Sequence, residues 1–162
     1  VINPVTSKEA LSDLPEGSLS DGADYPTAPL SEFQKIIREG SKGVYNHLIT
    51  IHTEQTQRII GMVPDGGNYK NLPKDLWETR KVHIAWTRLN SQKPSFTIDC
   101  GHNHHFHYSF NRVPTVRESA RLQSFPDKFI FLGGKGSQLK QVGNAVPPIM
   151  ASAIANQLKL ML

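Results

Sequence analysis

Apolar residues recur at helical spacing in several stretches of this chain. The first, Thr6–Leu14, is a short amphipathic segment whose Thr6 and Glu9 form a capping-box pattern, and Pro15 stops it. The second runs over Glu32–Glu39, with Ser31 as its cap, Phe33, Ile36 and Ile37 on one face, and Gly40 ending it. Thr53–Met62 follows, with Ile59 and Ile60 as its inward residues. Thr115 and Glu118 make another capping box, opening a helix through Ser124 that turns Val116, Ala120 and Leu122 inward before Pro126. A last helix begins after Val142–Pro148 and carries the stripe Val146, Met150, Ala153, Ile154, Gln157, Leu158 and Met161.

Between these lie β-branched and aromatic runs. Val82–Leu89 and Ser95–Cys100 predict two short antiparallel strands joined by a polar turn at Asn90–Pro94, a hairpin with Arg88 and Lys93 near its tip. Phe129–Leu132 predicts a strand or a tight turn, and Gly133–Gly136 a flexible basic loop. Pro15–Leu30 and Val63–Leu72 read as loops, and Val44–Ile51 fits either class. The fold class that emerges is α+β.

Composition bounds the rest. The chain has 162 residues, enough for one core, with 38% hydrophobic and 20% charged residues. No apolar run is long enough to span a bilayer, and the N-terminus has no signal-peptide pattern, so no membrane partner is expected. The chain does not begin with Met, which fits a processed chain or a piece of a longer one. A single cysteine excludes an internal disulfide and fits a reducing, cytoplasmic compartment. The net charge of +4 inclines the chain only modestly toward polyanions.

Four of the seven histidines fall in Gly101–His107, read GHNHHFH, just after Cys100. On a strand, His105 and His107 would share one face and His102 and His104 the other, which divides ligands rather than collecting them. His47, His52 and His83 are scattered, so no second ligand pair exists and no metal is expected. The alternatives are polar packing or a surface near nucleic acid. Cys100 has no activating base that spacing alone supplies.

RVPTVRESARLQSFPD (Arg112–Asp127) followed by KQVGNAVPP (Lys140–Pro148) resembles the last two conserved motifs of the DNA cytosine-5 methyltransferases. PDGGNYKNLP (Pro64–Pro73) and AWTRLNSQKPSFTI (Ala85–Ile98) look like the target-recognition region that precedes them. VTSKEALSDLP (Val5–Pro15) looks like the segment after that family's central catalytic motifs. Its glycine-rich cofactor loop, its Pro-Cys-Gln loop and its Glu-Asn-Val segment do not occur in these 162 residues, and Cys100, flanked by Asp99 and Gly101, does not match the nucleophile. No catalytic residue is therefore assigned.

The resemblance implies two regions. Residues 1–110 would be the target-recognition region with connecting segments, and 111–162 the last two motifs plus a helix belonging to an incomplete, doubly wound methyltransferase domain. It implies that Phe125, Asn144 and Ala145 meet S-adenosylmethionine, but only together with the missing N-terminal catalytic portion or subunit, on which the last helix would dock. It also implies contacts to double-stranded DNA from Arg88, Lys93, Arg112, Thr115 and Arg117, in a cytoplasmic, nucleoid-associated enzyme that is inactive as this piece alone. A stand-alone nucleic-acid-binding module is the competing expectation. Such a module would bury the Met150, Ile154 and Leu158 stripe within itself.

Overall fold

A computed structural model of the chain describes residues 4–77, 86–100 and 105–161. Among them the fold is α+β, with six α-helices and one small sheet. Helices α1 (Ser7–Leu11), α2 (Glu32–Arg38) and α3 (Glu54–Met62) come first, followed by two single 3₁₀ turns at Tyr69–Asn71 and Lys74–Leu76. Strand β1 (Thr87–Arg88) and strand β2 (His105–Phe106) precede α4 (Val116–Leu122), α5 (Lys135–Gly143) and α6 (Pro148–Lys159).

The hydroxyl caps act where the sequence places them. Thr6, Ser31, Thr53 and Thr115 each accept a hydrogen bond from the backbone N–H three residues on, which satisfies a donor the first turn would leave open. Thr6 and Thr115 complete full capping boxes with Glu9 and Glu118. Of the apolar residues of α2 only Ile37 is buried, and Ile36 is 61% exposed, so the three-residue apolar face expected there is narrower.

The strands differ from expectation. β1 pairs with β2 in parallel, Thr87 opposite His105 and Arg88 opposite Phe106, and the antiparallel hairpin does not form among the described residues. After Leu89 the chain leaves the sheet because the 90–94 turn is captured by α1: the Ser7 N–H donates to Lys93 O at 2.9 Å and the Lys8 N–H to Ser91 O at 3.3 Å. Asp65 also accepts from the Ser91 N–H at 2.7 Å. Ser95–Cys100 is irregular for the same reason, and the Val82–Ala85 part of the predicted strand lies outside the described residues. Gly66, at φ 68°, lies against Asn90, whose side-chain nitrogen would stand 2.3 Å from an added Cβ.

Phe129–Leu132 is no strand either. Asn46 takes the place of a neighbouring strand, donating to Phe131 O at 2.9 Å and accepting from its N–H at 3.0 Å. Within the expected loop at Gly133–Gly136, Gly134 instead caps α5, and Lys135 and Gly136 begin its first turn. The buried pair Leu139 and Val142 anchors that helix, and glycine costs little at its very end.

Three apolar clusters form the interior. One gathers Ile59, Ile60, Val63, Leu72, Trp86, Phe106 and Val113. A second holds Val116, Ala120, Phe125, Phe131, Leu139 and Val142, and a third Ala10, Leu11 and Leu89. Helix α4 is buried on nearly every side, charged residues included.

Its charges are paired. Arg112 grips Glu118 with two bonds of 2.7 Å. Arg121 meets Asp127 at 3.0 and 2.6 Å and also bonds Asp13, which in turn binds Arg38 of α2. Burial pushes the Glu118 carboxyl up, but the Arg112 hydrogen bonds and the neighbouring positive charges outweigh it and hold the group at about 2. Burial pulls the His107 imidazole down to about 4. Its Nδ1 accepts the Ser109 and Phe110 N–H groups at 3.1 Å each, so the neutral ring carries its proton on Nε2.

Two outcomes follow from these burials. Both groups have folded-state values below their ordinary ones, so both bind more protons when the chain unfolds and stability falls with acid. We predict that urea unfolding shows a first loss as pH drops from about 6.5 toward 4, from His107, and a second from about 4.5 toward 2, from Glu118. A stability profile flat from pH 7 to pH 4 would contradict this. Arg121→Met takes a buried ionic partner from both Asp13 and Asp127 and is expected to cost about 3–5 kcal/mol in the same assay.

Candidate functional site

The Val142–Pro148 loop links α5 to α6, and its position is set by three neighbours. Asn144 caps the end of α5, its N–H donating to Lys140 O at 3.1 Å, and its side chain is exposed. Ser124, held in the left-handed region at φ 61°, accepts the Ile149 N–H at 3.2 Å and so ties the end of α4 to the start of α6. Gly143 faces the 98–100 segment so closely that an added Cβ would lie 2.8 Å from the carbonyl carbon and oxygen of Asp99 and from Cys100 Cα. Beside this loop runs a groove of about 730 Å³, between α1, the 94–98 segment, the end of α4 and α6. Phe96, Ile98, Leu122, Ala145, Met150 and Ala153 are among the residues lining it.

Helix α6 opens on Pro148, with Pro147 at the cap. Neither proline has an N–H, and the Ile149 N–H is taken by Ser124. The backbone donors expected at this helix start are therefore largely absent, and the exposed polar group that the loop presents is the Asn144 amide. Ala145 is half-buried against the second apolar cluster. Phe125 is 7% exposed, packed against Phe129 at 5.2 Å and Phe131 at 5.1 Å. Phe129, 47% exposed, is the ring of this trio that reaches the surface. An F-x-F spacing puts both rings on one face of an extended segment, so the sequence carried no sign that Phe129 alone faces out.

Of the five residues expected at DNA, only Lys93 has an exposed side chain. Arg88 does not stand at a hairpin tip; it is 4% exposed and feeds the carbonyls of Val63, Ile60, His107 and Phe110 and the Asn111 side chain. Arg112 is occupied by Glu118 and by the carbonyls of Pro15 and Glu16. Arg117 donates to Tyr45 O at 2.9 Å and Phe129 O at 2.6 Å. Thr115 caps α4 and bonds His47 Nδ1 at 3.0 Å. These four side chains hold loops in place from inside. Lys70 and Lys74, on the two 3₁₀ turns, are exposed cations that were not among the residues expected at DNA.

His105 stacks on Phe96 at 4.8 Å, and His107 on Phe110 at 4.4 Å. Among the described residues no group of three His, Cys, Asp or Glu side chains is placed to hold a metal; His102 and His104 lie outside them. None of the described helices is long and apolar enough to cross a membrane.

The sequence profile of the C-5 cytosine-specific DNA methylases matches residues 3–160. The chain belongs to that family. It is 40% identical over 126 residues to the type II methyltransferase M1.HphI of Haemophilus parahaemolyticus, covering 78% of this chain and 34% of that protein. It is 34% identical to the type II methyltransferase M.DdeI of Desulfomicrobium norvegicum, covering 93% of this chain and 42% of the other. The fold is similar, at a TM-score of 0.71 and 24% identity, to a solved structure assigned as a DNA modification methyltransferase encoded within an E. coli prophage. That match covers 98% of this chain and 47% of the other. The chain thus spans less than half the length of each of these relatives.

The placement of the cations in this methylase chain generates a prediction. Arg88→Lys loses most of the carbonyl contacts and is expected to lower unfolding stability by about 2–4 kcal/mol. Lys93→Ala should leave the unfolding curve within about 0.5 kcal/mol of the parent. A stable R88K protein would show that the buried guanidinium is dispensable.

Proposed function

We propose that these residues are the target-recognition and cofactor-closing part of a DNA cytosine-5 methyltransferase of the restriction–modification type. Residues 1–110 carry recognition with its connecting segments, and residues 111–162 carry the last two motifs and the docking helix. The catalytic cysteine loop lies on the N-terminal catalytic portion or a companion subunit. The observation that carries the reading is α6. Its Ile149, Met150, Ile154 and Leu158 are each about half exposed, with no residue of the helix buried. An apolar face of that kind beside a half-open groove supports docking against the doubly wound remainder of the enzyme. A stand-alone nucleic-acid-binding module would cover it internally.

In the assembled enzyme the target cytosine is flipped out of the duplex to reach its pocket. S-adenosylmethionine supplies the methyl group for C5. In this reading Asn144 offers its amide to the polar end of that cofactor, Ala145 packs beneath the loop, and Phe125 backs it through the Phe129–Phe131 trio. Lys93, with Lys70 and Lys74, meets phosphates, which position a duplex without reading it. Arg88, Arg112, Thr115 and Arg117 serve DNA indirectly, by fixing the loops that carry those groups.

The test is incorporation of labelled methyl groups from S-adenosylmethionine into mixed-sequence duplex DNA. Incorporation by the chain together with the N-terminal portion, and none by these 162 residues alone, is expected. Incorporation by the 162 residues alone would overturn the assignment of the nucleophile to other residues. In the active assembly, Lys93→Ala should weaken DNA binding and reduce the slope of log affinity against log salt by about 1. Ile154→Asp should leave this chain's own unfolding unchanged and abolish association with the N-terminal portion. Retained association would remove α6 from the interface.

A further inference from the structure

The 98–100 segment and the Gly143–Ala145 loop meet residue against residue. Ile98 and Ala145 both pack on the second apolar cluster. Asp99 and Cys100 lie flush against Gly143, where no side chain fits. The Cys100 thiol donates to Asn144 Oδ1 at 2.8 Å. A thiol has a hydrogen to give, so the amide turns its oxygen toward the sulfur and its NH₂ group away from it. The prolines at the start of α6 have no N–H, and Asn144 is the one polar side chain of the Val142–Pro148 loop.

We propose that Cys100 is a positioning residue: its thiol sets the rotamer and the flip of Asn144 for the cofactor, and couples the recognition segment to the cofactor loop. The inference rests on the cofactor role of Asn144 proposed above. Gly143 is the permissive element, because only a residue without a Cβ lets the two backbones approach closely enough for the sulfur to reach. A shift of the 98–100 segment when DNA engages the recognition region would then move the amide that holds S-adenosylmethionine.

The test uses the complete methyltransferase and steady-state kinetics with each substrate varied. Cys100→Ala is expected to raise KM for S-adenosylmethionine about three- to tenfold, the loss of one oriented hydrogen bond, with KM for DNA little changed. Cys100→Ser keeps a donor and should restore most of the loss. In the double variant Cys100→Ala/Asn144→Ala, the effect should not exceed that of Asn144→Ala alone, because the thiol acts only through the amide. Gly143→Ala forces the backbones apart and should raise the same KM without altering either partner, while thermal unfolding of each variant separates this from loss of fold. If Asn144→Ala raises KM for S-adenosylmethionine and Cys100→Ala does not, the positioning role is overturned and the cofactor reading stands. If Asn144→Ala leaves that KM unchanged, the cofactor role of the loop falls and this proposal with it.

Discussion

Helix α4 is two turns long, and buried on most of its sides it carries three ionised residues, Arg117, Glu118 and Arg121. Unpaired, such charges would keep the chain from closing, since a buried ion without a partner costs several kcal/mol. Pairing is achieved only by drawing distant segments together. Arg121 requires Asp13 from the end of α1 and Asp127 from the loop after α4, while Asp13 brings in Arg38 of α2. Arg117 requires the carbonyls of Tyr45 and Phe129. The arrangement of the N-terminal helices around the two family motifs is therefore a condition of solvating α4 from within.

That condition divides the basic residues into two groups with different uses. Guanidiniums have several donors in a fixed fork and suit loop carbonyls and carboxylates inside the protein. Lysines at 70, 74 and 93 stay at the surface, where an ammonium keeps its water. Net charge alone does not separate the two, and so a modest positive balance says little about which cations can reach a phosphate. The apolar residues divide likewise. Leu139 and Val142 of α5 are buried, whereas the stripe of α6 remains open along its length.

The buried histidines among the described residues belong to the same economy of polar groups. His107 serves as a buried acceptor for two backbone N–H groups and is pressed between Phe110 and Tyr108. His47 bridges Pro15 O and the Thr115 hydroxyl, with burial lowering its basicity. An imidazole kept neutral can donate and accept at once, which is what a crowded crossing of loops needs.

Read alone, the sequence determined five of the six described helices and their starts, all but α5. Caps, proline stops and apolar spacing act within four residues, and local hydrogen bonds satisfy them whatever the rest of the chain does. The family motifs were legible for the same reason, as contiguous strings. What pairs with what was decided only in three dimensions. Arg88 has the same appearance in the string whether it tips a hairpin or fills the space among five acceptors. The strand pairing turned parallel because α1 holds the 90–94 turn, and α5 began on glycines because Leu139 and Val142 found a core. The meeting of Cys100 with Asn144, 44 positions apart, has no local signal at all. Long-range pairing depends on which partner is nearest after the chain has collapsed, and that distance is not written in sequence spacing.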